Sequence, residues 1–402
     1  SLLVPLSASA KDPVKVLKAD ADAALKAKHY HEAAELYRKL SFVQPSKKNQ
    51  KNLKKALGQL VKPLVKAAKK AVKKDPKTAH TLAMQILAMN SGSKDAKKIM
   101  KRLKYVSHSG VWIPESELEG AKEAERKRGN MRLMEIGLGP EFVSLRRDVF
   151  RFYTNVDLKY GRDILDQLFA AMVTHYHTYR QVMGPLGVRI PREGLDVILF
   201  DDERDYLKLT KAEGSAGVYI PRKSAGFFFS GAAGFNFPTM MHEMTHQLND
   251  KVLEATANPP WWEEGISEYF GAGLLTRKGR EMQLGLPDRN RMSTFRSMMT
   301  AKPSQVIPLK QFFTAARAEL TSEYYAQSWA LTHYLMEGLP IGRLVVYDLL
   351  TLAKTKKYQF GVKGKDVEKI LQDLGLSIEF LETAYVAFQS GETTSVKASA
   401  KR

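Results

Sequence analysis

The chain has 402 residues, carries a formal net charge of +20 and contains no Cys. That length allows two or three domains with full cores. Without Cys there are no disulfides and no thiolate ligands, so any metal site must use His and carboxylate. With 44% hydrophobic and 26% charged residues and no run of 18 apolar positions, the composition is globular and excludes a helical membrane span.

The first ten residues, SLLVPLSASA, end in Ala8-Ser9-Ala10 before a polar run. They read as the end of a secretory signal with an A-x-A cleavage site, which predicts an exported chain, periplasmic or extracellular. The charge is uneven. Residues 11–105 hold 25 Lys and Arg against 7 Asp and Glu, a net +18, so the remainder is nearly neutral.

Residues 11–105 read as helices. Ala23 to Tyr37 has the small residues and paired tyrosines of a tetratricopeptide helix pair, with Pro45 after the second helix, and a second unit is expected over Thr78 to Met89. One such unit cannot bury its own face, so a short all-α bundle of repeat type is expected. Residues 47–74 carry eleven Lys and no acid, with apolar residues at helical spacing. Pro63 should kink or end that helix. Its lysines, among them Lys54, Lys55, Lys62, Lys66, Lys69 and Lys70, form a candidate surface for an anionic polymer or membrane surface. Aromatic interleaving and nucleic-acid motifs are missing, so sequence-specific nucleic-acid recognition is not expected. A plain solvated helix face is the competing reading.

Residues 106–141 read as a connector: a turn-rich stretch from Ser107 to Pro114, then a charged helix over Glu115 to Arg128. The second domain should span 142–387, followed by a disordered tail over 388–402. Strands are expected at 142–145, 149–154 and 195–200, with a helix over 160–183 and another over 201–209, capped by Asp201 or Asp202. The segments 217–220 and 226–229 read as a hairpin. A helix should start near Phe237-Pro238, and the pattern stays helical from there to about Ala387. Sheet first and helices after is the order of an α+β fold.

The helix after Pro238 carries His242-Glu243-Met244-Thr245-His246. Four residues apart on a helix, the two imidazoles leave one face about a turn apart and can bind one Zn²⁺. Glu243 beside them can take a proton from a metal-activated water. Seventeen residues separate His246 from Glu264, within Trp261-Trp262-Glu263-Glu264-Gly265-Ile266-Ser267-Glu268. A catalytic zinc takes three protein ligands and keeps one open position, and Glu264 on a second helix is the candidate third ligand. His175 and His177, two apart, do not share a helix face and read as ordinary helix residues. His333 reads as a packing or surface histidine. The run Phe227-Phe228-Phe229 with Phe235 is either a side-chain pocket or sheet core, and alternation along a strand favours core.

The pattern H-E-x-x-H followed by W-x-x-E-G-x-S-E resembles the gluzincin zinc peptidases, and within them the bacterial peptidase MA-like domain family of unknown function. A later segment, Tyr325-Ala326-Gln327-Ser328-Trp329-Ala330-Leu331, is also similar. The resemblance covers about residues 142–380 and implies a zincin-like catalytic domain, a small sheet plus a helical lobe around the active-site helix, with one Zn²⁺ per chain. It implies His242, His246 and Glu264 as metal ligands and Glu243 as general base. It further implies Glu268 as the acid that orients a ligand histidine, and Tyr325 as the hydroxyl facing the oxyanion, with Tyr324 one position away as the alternative. The aminopeptidase branch carries a G-x-M-E-N strand that holds a free amine. The nearest segment here, Gly231 to Asn236, has no acid, which turns the expectation toward cleavage within a peptide or protein chain. The competing reading is a binding protein in which zinc joins two helices and the basic domain engages a polyanion or protein partner.

Overall fold

The computed structural model describes residues 12–108, 111–188, 194–231, 234–254, 258–301, 305–315, 321–355 and 361–391. The leader-like residues 1–10 and most of the expected tail lie outside them. The described residues fall into two compact units, one within Val14–Val156 and Arg189–Asp201, the other within Asp157–Val188 and Asp202–Arg402. The fold is mostly helical with a small mixed sheet, consistent with an α+β reading.

The first unit opens with helices α1 (Pro13–Lys26), α2 (Tyr30–Val43), α3 (Lys47–Ala71), α4 (Pro76–Met89) and α5 (Lys94–Arg102). Local chemistry starts three of them. Ser46, Asp75 and Ser93 each accept a hydrogen bond from the backbone N–H three residues on, satisfying a donor the first turn leaves open. Val61, Val65, Ala68, Ala83, Ile86, Ala96, Ile99 and Met100 from α3, α4 and α5 form one core. That packing carries α3 through Pro63 without a break, so the proline does not end the helix. Within the stretch read as a turn-rich connector, β1 (Tyr105–His108) and β2 (Val111–Pro114) pair antiparallel, with Val106 opposite Ile113. Helix α6 (Leu118–Ile136) follows. Strands β3 (Val143–Arg147) and β4 (Phe150–Thr154) pair antiparallel, and β4 pairs in parallel with β5 (Leu195–Phe200). The carboxylate of Asp196 on β5 accepts a 2.7 Å bond from Arg132 of α6.

The second unit contains α7 (Leu158–Met183), α8 (Glu203–Thr210), the hairpin β6 (Gly217–Ile220) with β7 (Ala225–Phe229), α9 (Phe237–Leu248) and α10 (Pro260–Gly271). A second hairpin, β8 (Leu274–Thr276) with β9 (Glu281–Gln283), interrupts the stretch expected to be helical throughout. Helices α11 (Arg289–Ala301), α12 (Leu309–Phe312), α13 (Ser322–His333), α14 (Gly342–Thr355), α15 (Gly364–Asp373) and α16 (Ile378–Ser390) complete the unit. Asp202, one of the two expected caps, accepts from the Asp205 N–H to start α8. Phe227, Phe228 and Phe235 are buried, so the aromatic run is core.

No described helix is long and apolar enough to cross a membrane.

Candidate metal centre

Helix α9 begins at Asn236, whose side chain accepts from the Thr239 N–H, with Pro238 preset for the first turn. It ends in a π-helical turn, Asn249–Leu253. This wider turn places Asn249 between Tyr179 of α7, which donates to it at 2.6 Å, and Glu263 of α10, which accepts from it at 3.1 Å. The end of the histidine helix is thereby tied to the start of the glutamate helix.

Helix α10 is buried along its whole length from Trp261 to Gly271. A helix without a solvent face needs close neighbours on every side. Gly265 permits the closest approach: a Cβ there would lie 2.5 Å from the Ser328 carbonyl oxygen of α13 and 2.2 Å from Thr332 Oγ1. Trp261 anchors the other end against Phe313, with ring centroids 5.2 Å apart. So fixed, α10 presents three carboxylates to α9.

Three donor atoms converge. His242 Nε2 and His246 Nε2 lie 3.1 Å apart, and Glu264 Oε2 lies 3.3 Å from each. Ligands about 2.0–2.1 Å from a tetrahedral ion stand roughly 3.3–3.4 Å from one another. The separations therefore fit one divalent ion. Glu264 Oε2 is buried and makes no hydrogen bond, an arrangement that a cation would complete. Among the described residues, His242, His246 and Glu264 are the group with metal-holding geometry.

Each imidazole is held from behind. His242 Nδ1 faces Glu268 Oε1 at 3.3 Å, and Glu268 in turn receives a bidentate pair from Arg291, at 2.9 and 2.6 Å. His246 Nδ1 faces Glu263 Oε1 at 3.1 Å and Ser267 Oγ at 3.3 Å. Asn249 and Asn258 donate to Glu263 as well. A carboxylate behind a ligand histidine fixes its tautomer and leaves the other nitrogen free to bind. Glu263 and Arg291 were not among the residues expected from sequence. The doubled Glu263-Glu264 was a visible signal for the first. Nothing near Arg291 marks it, because its role depends on α11 packing beside α10.

Glu243 points at the same place. Its Oε2 accepts from the Tyr219 backbone N–H of β6 at 2.8 Å, and its Oε1 lies 3.9 Å from His242 Nε2. The ring of Tyr325 lies 6.1 Å from that of His242, with the Arg291 guanidinium over its face at 5.3 Å. Tyr324 instead packs into the core against Phe312. Of the two tyrosines, Tyr325 is the one at the site.

The electrostatics favour positive charge. Burial pulls the pKa of His242 down, but Glu264 and Glu268 outweigh it and push it up to about 9. Burial also opposes charging of His246, yet Glu264 and Glu263 hold its pKa well above the ordinary value. Burial disfavours the Glu264 anion, and the two imidazoles overcome this and depress its pKa strongly. Burial, then Glu264, Glu243 and Glu268, raise Tyr325, so its hydroxyl keeps its proton. Among the described residues, Arg291 is the one Lys or Arg paired with the carboxylates of Glu243, Glu263, Glu264 and Glu268, so the cluster keeps an excess of negative charge that a divalent ion would reduce.

The other histidines lie elsewhere. His175 is buried against Phe270, with Nε2 3.1 Å from Thr245 Oγ1. His333 stacks on Trp329 at 5.0 Å. His177 lines a cavity of about 500 Å³ between α7 and the β8–β9 hairpin.

A family model described as "Protein of unknown function (DUF1570)" matches residues 236–340, the stretch from the cap of α9 to beyond α13. No curated protein matches the chain.

Proposed function

We propose that this protein is a zinc-dependent peptide-bond hydrolase of the gluzincin type, cleaving within chains. The observation that carries the reading is the convergence of His242, His246 and Glu264, three donors among the described residues, with the carboxylate of Glu243 beside them but outside the group. A structural zinc has four protein ligands and no use for such a carboxylate; a catalytic one has three ligands and keeps a position open.

His242, His246 and Glu264 would hold the ion. Bound there, Zn²⁺ would act as a Lewis acid and lower the pKa of water to about 7. The remaining work belongs to the chain. Glu243 is fixed by the Tyr219 N–H on one oxygen, which leaves Oε1 to take a proton from the attacking water and pass it to the departing amine. Tyr325, kept protonated, donates to the developing oxyanion. Glu268 and Glu263 orient the two imidazoles, and Arg291 orients Glu268. An extended substrate lies along β6 and takes backbone hydrogen bonds there. No acid in the described part of 231–236 stands ready for a substrate amine, which supports the endopeptidase form.

The test is a mixed peptide library incubated with and without chelator, with products read by mass spectrometry. The parent should cut within chains, and chelator should stop it. Glu243→Gln should keep its zinc and lose about 10²–10⁴-fold in rate. Equal cleavage by that variant would sink the mechanism. Stoichiometric zinc in a parent that cuts nothing would support the joined-helix reading instead.

A further inference from the structure

Helix α3 carries the strongest charge feature outside the metal centre. At about 100° per residue, Lys48, Lys51, Lys55, Lys62, Lys66 and Lys69 fall within an arc of about 60° and span roughly 31 Å of helix. All six are exposed. Lys69 pairs with Asp95 at 2.7 Å; among the described residues the other five form no ion pair, and α3 contains no acid. Lys54 and Lys70, singled out from the sequence, are also exposed but project away from this line.

A row of like charges repels itself and contributes nothing to the fold. The opposite face of α3 does the packing, with Val61, Val65 and Ala68 in the core and Leu64 and Val72 against it. That spent apolar face also decides the kind of partner. An amphipathic helix that lies in a membrane must insert its apolar side. Here that side is already buried in protein, and the lysine face between residues 48 and 69 carries no aromatic or aliphatic side chain to insert. The same lack of aromatics excludes a base-stacking platform. What remains is a narrow line of cations at intervals of about 4.5–10.5 Å along the helix. It matches a flexible linear polymer with a phosphate in every repeat.

We propose that the lysine line of α3 binds a linear phosphate polymer, phosphodiester or polyphosphate, through its charges alone. Binding by counterion release gives a slope of log affinity against log salt of about −0.7 per neutralised phosphate of a single strand, hence about −4 for six contacts. Affinity should then fall roughly 250-fold between 50 and 200 mM salt.

The experiment titrates the full chain against dye-labelled oligothymidylate and dye-labelled inorganic polyphosphate over that salt range. Lys48→Gln/Lys55→Gln/Lys62→Gln should reduce the slope to about −2. Lys310→Gln/Lys365→Gln/Lys369→Gln removes the same charge from exposed lysines of the other unit and should leave the slope unchanged. Gln has a helix propensity close to that of Lys, and circular dichroism checks that α3 survives. The polymer bound more tightly identifies the source of the phosphate. Equal losses in the two variants would reduce the effect to net charge and overturn the proposal. So would a parent that ignores both polymers, or one that binds only phosphatidylglycerol vesicles.

Discussion

Helices α3 and α10 are both charged, and they use charge in opposite ways. In α10 the carboxylates of Glu263, Glu264 and Glu268 are buried, and each faces an imidazole. In α3 the lysines stand in water, and among the described residues Lys69 alone of the six forms an ion pair. The difference follows from solvation. A charge removed from water must be met by a partner or a metal, whereas a hydrated lysine needs none. Buried charge therefore specifies a geometry, and exposed charge specifies only a field.

Five variants would break or sharpen that contrast. The largest effect is expected from Glu264→Ala, which removes one of three donors. Metal analysis should find the site unloaded and turnover gone; full zinc occupancy would strike Glu264 from the ligand set. Next come Glu263→Gln and Glu268→Gln, which leave the donors in place but loosen the rings. Each should weaken zinc affinity by about 10–100-fold in a chelator competition. Similar losses from both would establish Glu263 as the counterpart of Glu268.

A smaller effect concerns His175. Burial pulls its pKa down from 6.5 to about 3, so the folded chain refuses a proton that the unfolded chain accepts. A folded pKa below the unfolded value means stability that is intact above pH 6.5 and lost as pH falls toward 3. The slope approaches about 1.4 kcal/mol per pH unit. In the window from about pH 5.5 to 4.5, His242 and His246 of the metal-free chain are protonated in both states and add little slope of their own. Melting curves of parent and His175→Gln over that window should diverge as pH falls, with the parent the steeper. Smallest of all, Lys48→Gln/Lys55→Gln/Lys62→Gln should change stability at neutral pH by no more than about 0.5 kcal/mol per site in urea titrations.

Particular residues show how far the chain could be read in advance. Periodicity located α7 and the β6–β7 hairpin nearly to the residue, an unbroken apolar run marked β5, which is buried throughout, and Pro238 marked the start of α9. The H-E-x-x-H spacing named two histidines that do meet, since a helix turn places positions four apart together whatever surrounds it, and the Glu264 segment supplied the third member of the group. Local pattern failed at β1–β2 and β8–β9. Short strands depend on a partner across the turn, and that pairing is weakly written in either strand alone. It also failed at Arg291, which matters because α11 brings it onto Glu268 and over Tyr325.

Residue order alone set the two histidines, the neighbouring Glu243 and the lysine-rich helix, all within reach of one helical repeat. Long-range packing chose which glutamate lies behind each imidazole and which of Tyr324 and Tyr325 faces the site, and it left the lysine line of α3 in water. Those choices hang on how closely α10 and α13 approach at Gly265 and on which face of α3 its neighbours cover. Contacts between distant segments arise from the summed burial of many side chains, and no short stretch of chain encodes that sum.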